Sequence, residues 1–182
     1  MYGIVNKAIQ GLVTENFGEN VWEEVKREAR VDVDLFLSNE GYPDKMTFDL
    51  AGSASKVLKI SVNDVLVEFG KYWVLKTGMR TYGELMKAGG NNFKEFIINL
   101  PAFHIRVMLM YPNLSPPEFS VSDIIDDELV LNYYSHRNGL TYFVYGLIQG
   151  LGEMYKTEVK ISIVGLKCEG LDHDSFNIVF NG

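Results

Sequence analysis

Residues 92–111 read NFKEFIINLPAFHIRVMLMY, and no other stretch restricts the fold so strongly. At 3.6 residues per turn, Phe93, Ile97, Leu100, His104, Val107, Met108 and Tyr111 fall on one helical face. That face is apolar except for His104. A helix with such a stripe must pack against a second layer. An imidazole carried into that layer has to find a hydrogen-bond partner, titrate abnormally or bind a metal. A core histidine with a backbone partner fits this pattern, and so does a metal or haem ligand. Pro101 sits three residues ahead of His104. It either kinks the helix or lies in the first turn of a fresh helix capped by Asn99.

The neighbouring segments supply the layers. Apolar spacing predicts helices over 2–17, 19–29, 46–58 and 62–75, the last capped by Ser61. Residues 32–44 lack periodicity, and Tyr42-Pro43-Asp44 reads as a turn or the start of a helix. Gly70 lies inside the fourth helix, where it costs about 1 kcal/mol relative to Ala, so something bulky is expected against the backbone there. Residues 77–91 read as a loop with at most a short turn at 82–86. Beyond the break at Ser115-Pro116-Pro117, strands are predicted over 118–122, 128–135, 158–164 and 175–180, with an apolar helix over 140–154. This order gives an α+β fold, an N-terminal helical bundle packed on a four-stranded antiparallel sheet with helices. No linker or repeat interrupts it, so residues 1–182 are expected to form one domain, with a helical part over about 1–60 and the rest over 61–182.

Composition removes several functions. There are 24 acidic against 17 basic residues, a formal net charge of −7, and no dense basic run, which argues against nucleic acid. The single cysteine, Cys168, rules out an internal disulfide framework and suits a reducing cytoplasm. Cys168 and His173 are too few for a zinc site. No apolar run reaches membrane-spanning length, so no membrane insertion is expected. The start, MYGIVNKAIQGLV, has no basic n-region or small-residue cleavage site and reads as helix, not signal peptide. Neither a phosphate-binding glycine loop nor a metal-carboxylate cluster supports kinase or cyclase chemistry.

A second constellation is Tyr133-x-Ser135-x-Arg137. On a strand, residues two apart share a face, so two hydroxyls and a guanidinium stand in one row. Such a row grips carboxylates or phosphates. It equally describes a solvated strand face.

Ordered motifs now accumulate: MYG at the start, Y-x-D at 42–44, TFDL at 47–50, FGKYW at 69–73, NL-x-x-x-H at 99–104, PP at 116–117, YYS-x-R-x-GL at 133–140 and DHD-x-F at 172–176. Together they resemble the haem nitric oxide/oxygen binding (H-NOX) family, which includes the haem domain of the soluble guanylate cyclase β subunit and stand-alone bacterial sensors. The resemblance covers nearly the whole chain. It implies haem b buried between the two halves and His104 as the iron ligand. It implies Tyr133, Ser135 and Arg137 on the haem propionates, Pro117 pressing on the porphyrin, and Asp44 pairing with Arg137. Gly70 is a supporting position.

The resemblance also implies a distal pocket formed by Phe143, Trp73, Val5 and, if the alignment slips by one, Tyr142. Oxygen-binding members use a distal hydroxyl donor, usually tyrosine. Phe143 falls at that position, so the expectation is a sensor of NO and CO with no stable O2 complex. An O2-binding member with Tyr142 or Tyr2 as donor is the alternative, and a cofactor-free binding module is another. A haem enzyme would need a distal acid–base residue, and none emerges, so no catalysis is expected. The partner implied by the resemblance is a separate histidine kinase or diguanylate cyclase.

Overall fold

Two apolar clusters hold the chain, and the computed structural model describes them over residues 1–110 and 116–181. Tyr111 and Ser115 therefore lie outside the described residues. The first cluster joins α1 (Gly3–Phe17), α2 (Glu19–Ala29), α3 (Asp44–Leu58) and α4 (Val62–Tyr72). Trp22, Phe36, Leu50 and Ala54 lie at its centre, all within 1% of full burial. It reaches past residue 60, because Val65, Leu66 and Phe69 of α4 turn into it. Ser61 caps α4 as its sequence suggests, its Oγ accepting the Asp64 N–H at 3.1 Å.

The second cluster lies between a sheet and two helices. The sheet contains β1 (Glu118–Ile125), β2 (Glu128–Tyr134), β3 (Val159–Gly165) and β4 (Asp174–Phe180), in the spatial order β1-β2-β4-β3 and antiparallel throughout. Alternation along β2 sends Leu129, Leu131 and Tyr133 inward. There they meet α6 (Phe93–Met110) and α7 (Thr141–Tyr155). This is the α+β arrangement read from the sequence. No helix among the described residues is long and apolar enough to cross a membrane.

The halves are joined where α4 crosses α7 on two glycines. A Cβ on Gly70 would collide with the backbone of Phe143 and Leu147, and one on Gly146 with the Val67 carbonyl. The bulky object expected against Gly70 is thus the backbone of a neighbouring helix.

Residues 77–91 depart from the expected loop. A π-helical segment, Trp73–Gly78, continues α4 into α5 (Met79–Lys87). Met79, Tyr82 and Met86 recur at three and four and pack on the second cluster, so tertiary burial selects a helix that Gly83 disfavours. The π turn, with its i→i+5 bonding, has no sequence signature. α6 decides one open reading and corrects another. It runs unbroken through Pro101, and Asn99 donates its side-chain amide to the Gly89 carbonyl (2.9 Å) instead of capping a fresh helix. Met108 does not share the inward face. Val107 takes that position, and Met108, about 100° further round the helix, is 44% exposed.

Candidate functional site

A cavity of about 640 Å³ opens between the two clusters. That is a cofactor-sized volume, and its walls are overwhelmingly apolar. From α6 come Leu100, Phe103, His104 and Val107; from the β1 side, Pro116, Pro117 and Phe119. From α1, the π segment and α7 come Val5, Trp73, Phe143 and Leu147. Tyr133 and Arg137 add polar groups.

His104 reaches the cavity because α6 buries Phe93, Phe96, Ile97 and Leu100 and aims the following turn along the same wall. Its Nδ1 lies 3.0 Å from the Leu100 carbonyl, one turn back. A carbonyl only accepts, so Nδ1 carries the proton and Nε2 keeps its lone pair. Nε2 has no protein partner among the described residues. The ring is flanked by Phe119 at 4.9 Å and Phe103 at 5.6 Å between centroids. Burial pushes the imidazole pKa down, and the Leu100 hydrogen bond offsets this only in part. The group is an imidazole in an apolar wall that favours its neutral form, held by a backbone carbonyl in the manner of metal-binding histidines.

What such a group can hold follows from what surrounds it. Among the described residues no three His, Cys, Asp or Glu side chains cluster as metal ligands. One imidazole cannot retain a bare ion. It suits a metal that brings its other ligands in a flat, apolar ring, and the cavity walls suit that ring.

The Tyr133, Ser135 and Arg137 trio is only partly the row expected. β2 ends at Tyr134, one residue short of Ser135. Ser135 then turns the chain, its Oγ accepting the Arg137 N–H at 3.1 Å, and it does not line the cavity. A serine hydroxyl that captures a backbone N–H two residues on breaks the strand alternation. Tyr133 is buried, which raises its hydroxyl pKa, while a hydrogen bond with Ser135 and the Arg137 charge pull it back partway. Arg137 Nε donates to Asp44 Oδ2 at 2.7 Å, tying the sheet half to α3. Burial opposes ionisation of Asp44. Hydrogen bonds from the amino terminus of Met1 and from Arg137 nonetheless hold the carboxyl below its usual value.

Of the remaining candidates, Val5, Trp73, Phe143, Pro117 and Tyr2 line the cavity. Tyr142 does not; it is 37% exposed, one residue round α7 from Phe143. Gly70 lies at the helix crossing behind Phe143. Sequence reasoning missed Tyr82, which lines the cavity at a kink in α5 (φ −126°, ψ 19°). Reading 77–91 as a loop hid it, although its three- and four-residue spacing to Met79 and Met86 was visible.

The family model described as haem-NO-binding matches residues 2–163. The soluble guanylate cyclase gcy-31 of Caenorhabditis elegans is 25% identical over 183 aligned positions, covering 100% of this chain and 26% of that protein. The guanylate cyclase soluble subunit beta-2 of Rattus norvegicus is 34% identical over 106 residues, 58% of this chain and 16% of that protein. The chain thus spans about a quarter or less of these curated relatives' length. Among solved structures, an H-NOX protein from S. oneidensis in the Fe(II)NO ligation state superposes with a TM-score of 0.89 at 20% identity, covering 100% of both chains. An Fe(II) unliganded H-NOX protein from K. algicida gives 0.85 at 21% identity, covering 100% of this chain and 97% of that one. These structures share the fold.

Proposed function

Because this chain belongs to the haem-NO-binding family, whose domains bind haem and sense gases, we propose that it is a sensor of NO and CO built on haem b, with His104 as the protein ligand to iron. One observation carries this: His104 gives its Nδ1 proton to the Leu100 carbonyl and keeps the Nε2 lone pair for the cavity.

Bound haem would supply an iron able to take a diatomic gas, and His104 would hold that iron through Nε2. Arg137 and Tyr133 orient the cofactor by its carboxylates, with Ser135 holding the Arg137 backbone. Pro117, on the wall shared with Phe119, is placed where it would bear on the ring. Phe143, Val5 and Trp73 line the gas side. Phe143 has no donor to stabilise bound O2. Because His104 sits on α6, a ligand that altered its hold on the cofactor would bias the position of that helix. The domain has no catalytic role in this reading. It acts in the cytoplasm, and its state is read by a histidine kinase or a diguanylate cyclase.

The test is the visible spectrum of purified protein, reduced without oxygen and then exposed to NO, CO and air in turn. A five-coordinate ferrous spectrum that NO and CO shift and air leaves unmoved is expected. A stable oxy spectrum would make this an O2-binding member with a donor such as Tyr2 or Trp73. Protein that stays colourless when haem is supplied would overturn the cofactor reading.

A further inference from the structure

The segment that carries Ser135 and Arg137 leaves the sheet at Tyr134 and re-enters regular structure at Thr141. It is anchored at both ends to the turn between β3 and β4, which holds a short 3-10 segment, Lys167–Glu169. At its start, Lys167 Nζ donates to the Ser135 carbonyl, and the Tyr134 and His173 rings lie 4.6 Å apart. At its end, Thr141 Oγ1 donates to Asp174 Oδ2 at 2.6 Å. The two anchors are one unit, because Asp174 Oδ1 accepts the Lys167 N–H at 2.8 Å. Asp174 is 6% exposed and stands opposite Tyr133 in the β2–β4 register. A carboxylate this deep persists where its oxygens are satisfied, and both are taken up holding this connection. The turn lies beyond residue 163, where the family match ends.

We propose that Lys167 and Asp174 are positioning residues that fix the Ser135–Arg137 segment, so that Arg137 meets a carboxylate of the cofactor in one geometry. This rests on the haem reading of the cavity. Neither residue lines the cavity, so each acts through the segment it holds.

The experiment is the rate at which haem-loaded protein gives up haem to an excess of apomyoglobin. Lys167→Met removes the bond to the Ser135 carbonyl. Haem loss should quicken about tenfold, the worth of one hydrogen bond from a charged donor, with the ferrous spectrum unchanged and the thermal midpoint lowered by no more than about 5 °C. Lys167→Arg keeps a donor and should stay within about threefold of wild type. In an Arg137→Ala background, Lys167→Met should add less than twofold, because the residue it positions is gone. An unchanged rate in Lys167→Met, or an equal acceleration with and without Arg137, overturns the proposal while wild-type haem binding keeps the sensor reading. Wild-type protein that takes up no haem overturns both. Asp174→Ala should release haem fastest and Asp174→Asn, which still offers an acceptor and a donor, far less. Should the alanine variant not fold, the Lys167 series decides.

Discussion

His104 donates its Nδ1 proton to the Leu100 carbonyl across 3.0 Å, so one turn of a single helix fixes the imidazole tautomer. Replacing His104 with glycine should lower haem affinity by more than about a hundredfold, beyond the loss seen when only an outer partner of a metal ligand is removed. Added imidazole should restore the visible spectrum. Haem titration with and without imidazole measures both, and undiminished affinity without imidazole would remove His104 from the ligand role.

The Asp44–Arg137 pair predicts an acid-sensitive contribution to stability. The folded-state pKa of Asp44 is lowered. Its contribution is therefore complete above the unfolded value of about 3.9 and is lost as pH falls through the folded value. Asp44→Asn should unfold at lower urea than wild type at pH 6, by a modest amount because the carboxylate is partly exposed. The gap should narrow as pH falls below the unfolded value of about 3.9 toward the lowered folded one. A gap that is constant with pH would mean the carboxylate charge contributes nothing.

The helix crossing predicts a contrast between two glycines. Gly146→Ala forces a methyl into the Val67 carbonyl and should destabilise by about 2–3 kcal/mol. Gly83→Ala, on α5 with nothing within 4 Å of the added carbon, should be neutral or stabilising by up to about 1 kcal/mol. Urea unfolding of the two variants under one set of conditions compares them. Equal stability would mean α4 and α7 can separate at little cost.

Phe143 lines the cavity with its ring centroid 4.7 Å from that of Phe69. Phe143→Tyr should create a stable oxy complex in air where wild type has none, and Tyr142→Phe should change nothing. An oxy complex in wild type that Tyr142→Phe abolishes would reverse the assignment.

Much of this was legible in the residues. The stripes of α1 to α4 and the alternation in β2 are periodic because each has one buried face, and periodicity is what sequence displays. The partner of His104 was within reach too, since a helical imidazole commonly bonds the carbonyl four residues back. Other features depend on contacts that no local pattern encodes. The π segment and α5 exist because Val74, Tyr82 and Met86 are drawn to the second cluster despite Gly83. The turn at Ser135 arises from a hydroxyl competing with the sheet for the Arg137 N–H. Lys167 is invisible from sequence, because its meaning lies in a carbonyl 32 positions away.

The burial of α6 is lopsided along its length. Phe93, Phe96, Ile97 and Leu100 are sunk in the core, whereas Ile105, Met108 and Leu109 are 60%, 44% and 78% exposed. Pro101 stands at the junction, with no N–H to give the Ile97 carbonyl. The helix is held like a cantilever: its root is clamped on several sides, whereas past the proline only one face, with Phe103, His104 and Val107, meets the protein. The backbone hydrogen bond missing at Pro101 makes that point the easiest place for the helix to bend under a pull at the imidazole. If His104 holds iron as proposed, a change at that one nitrogen would be felt most where the helix meets water, while the root stays seated in the core.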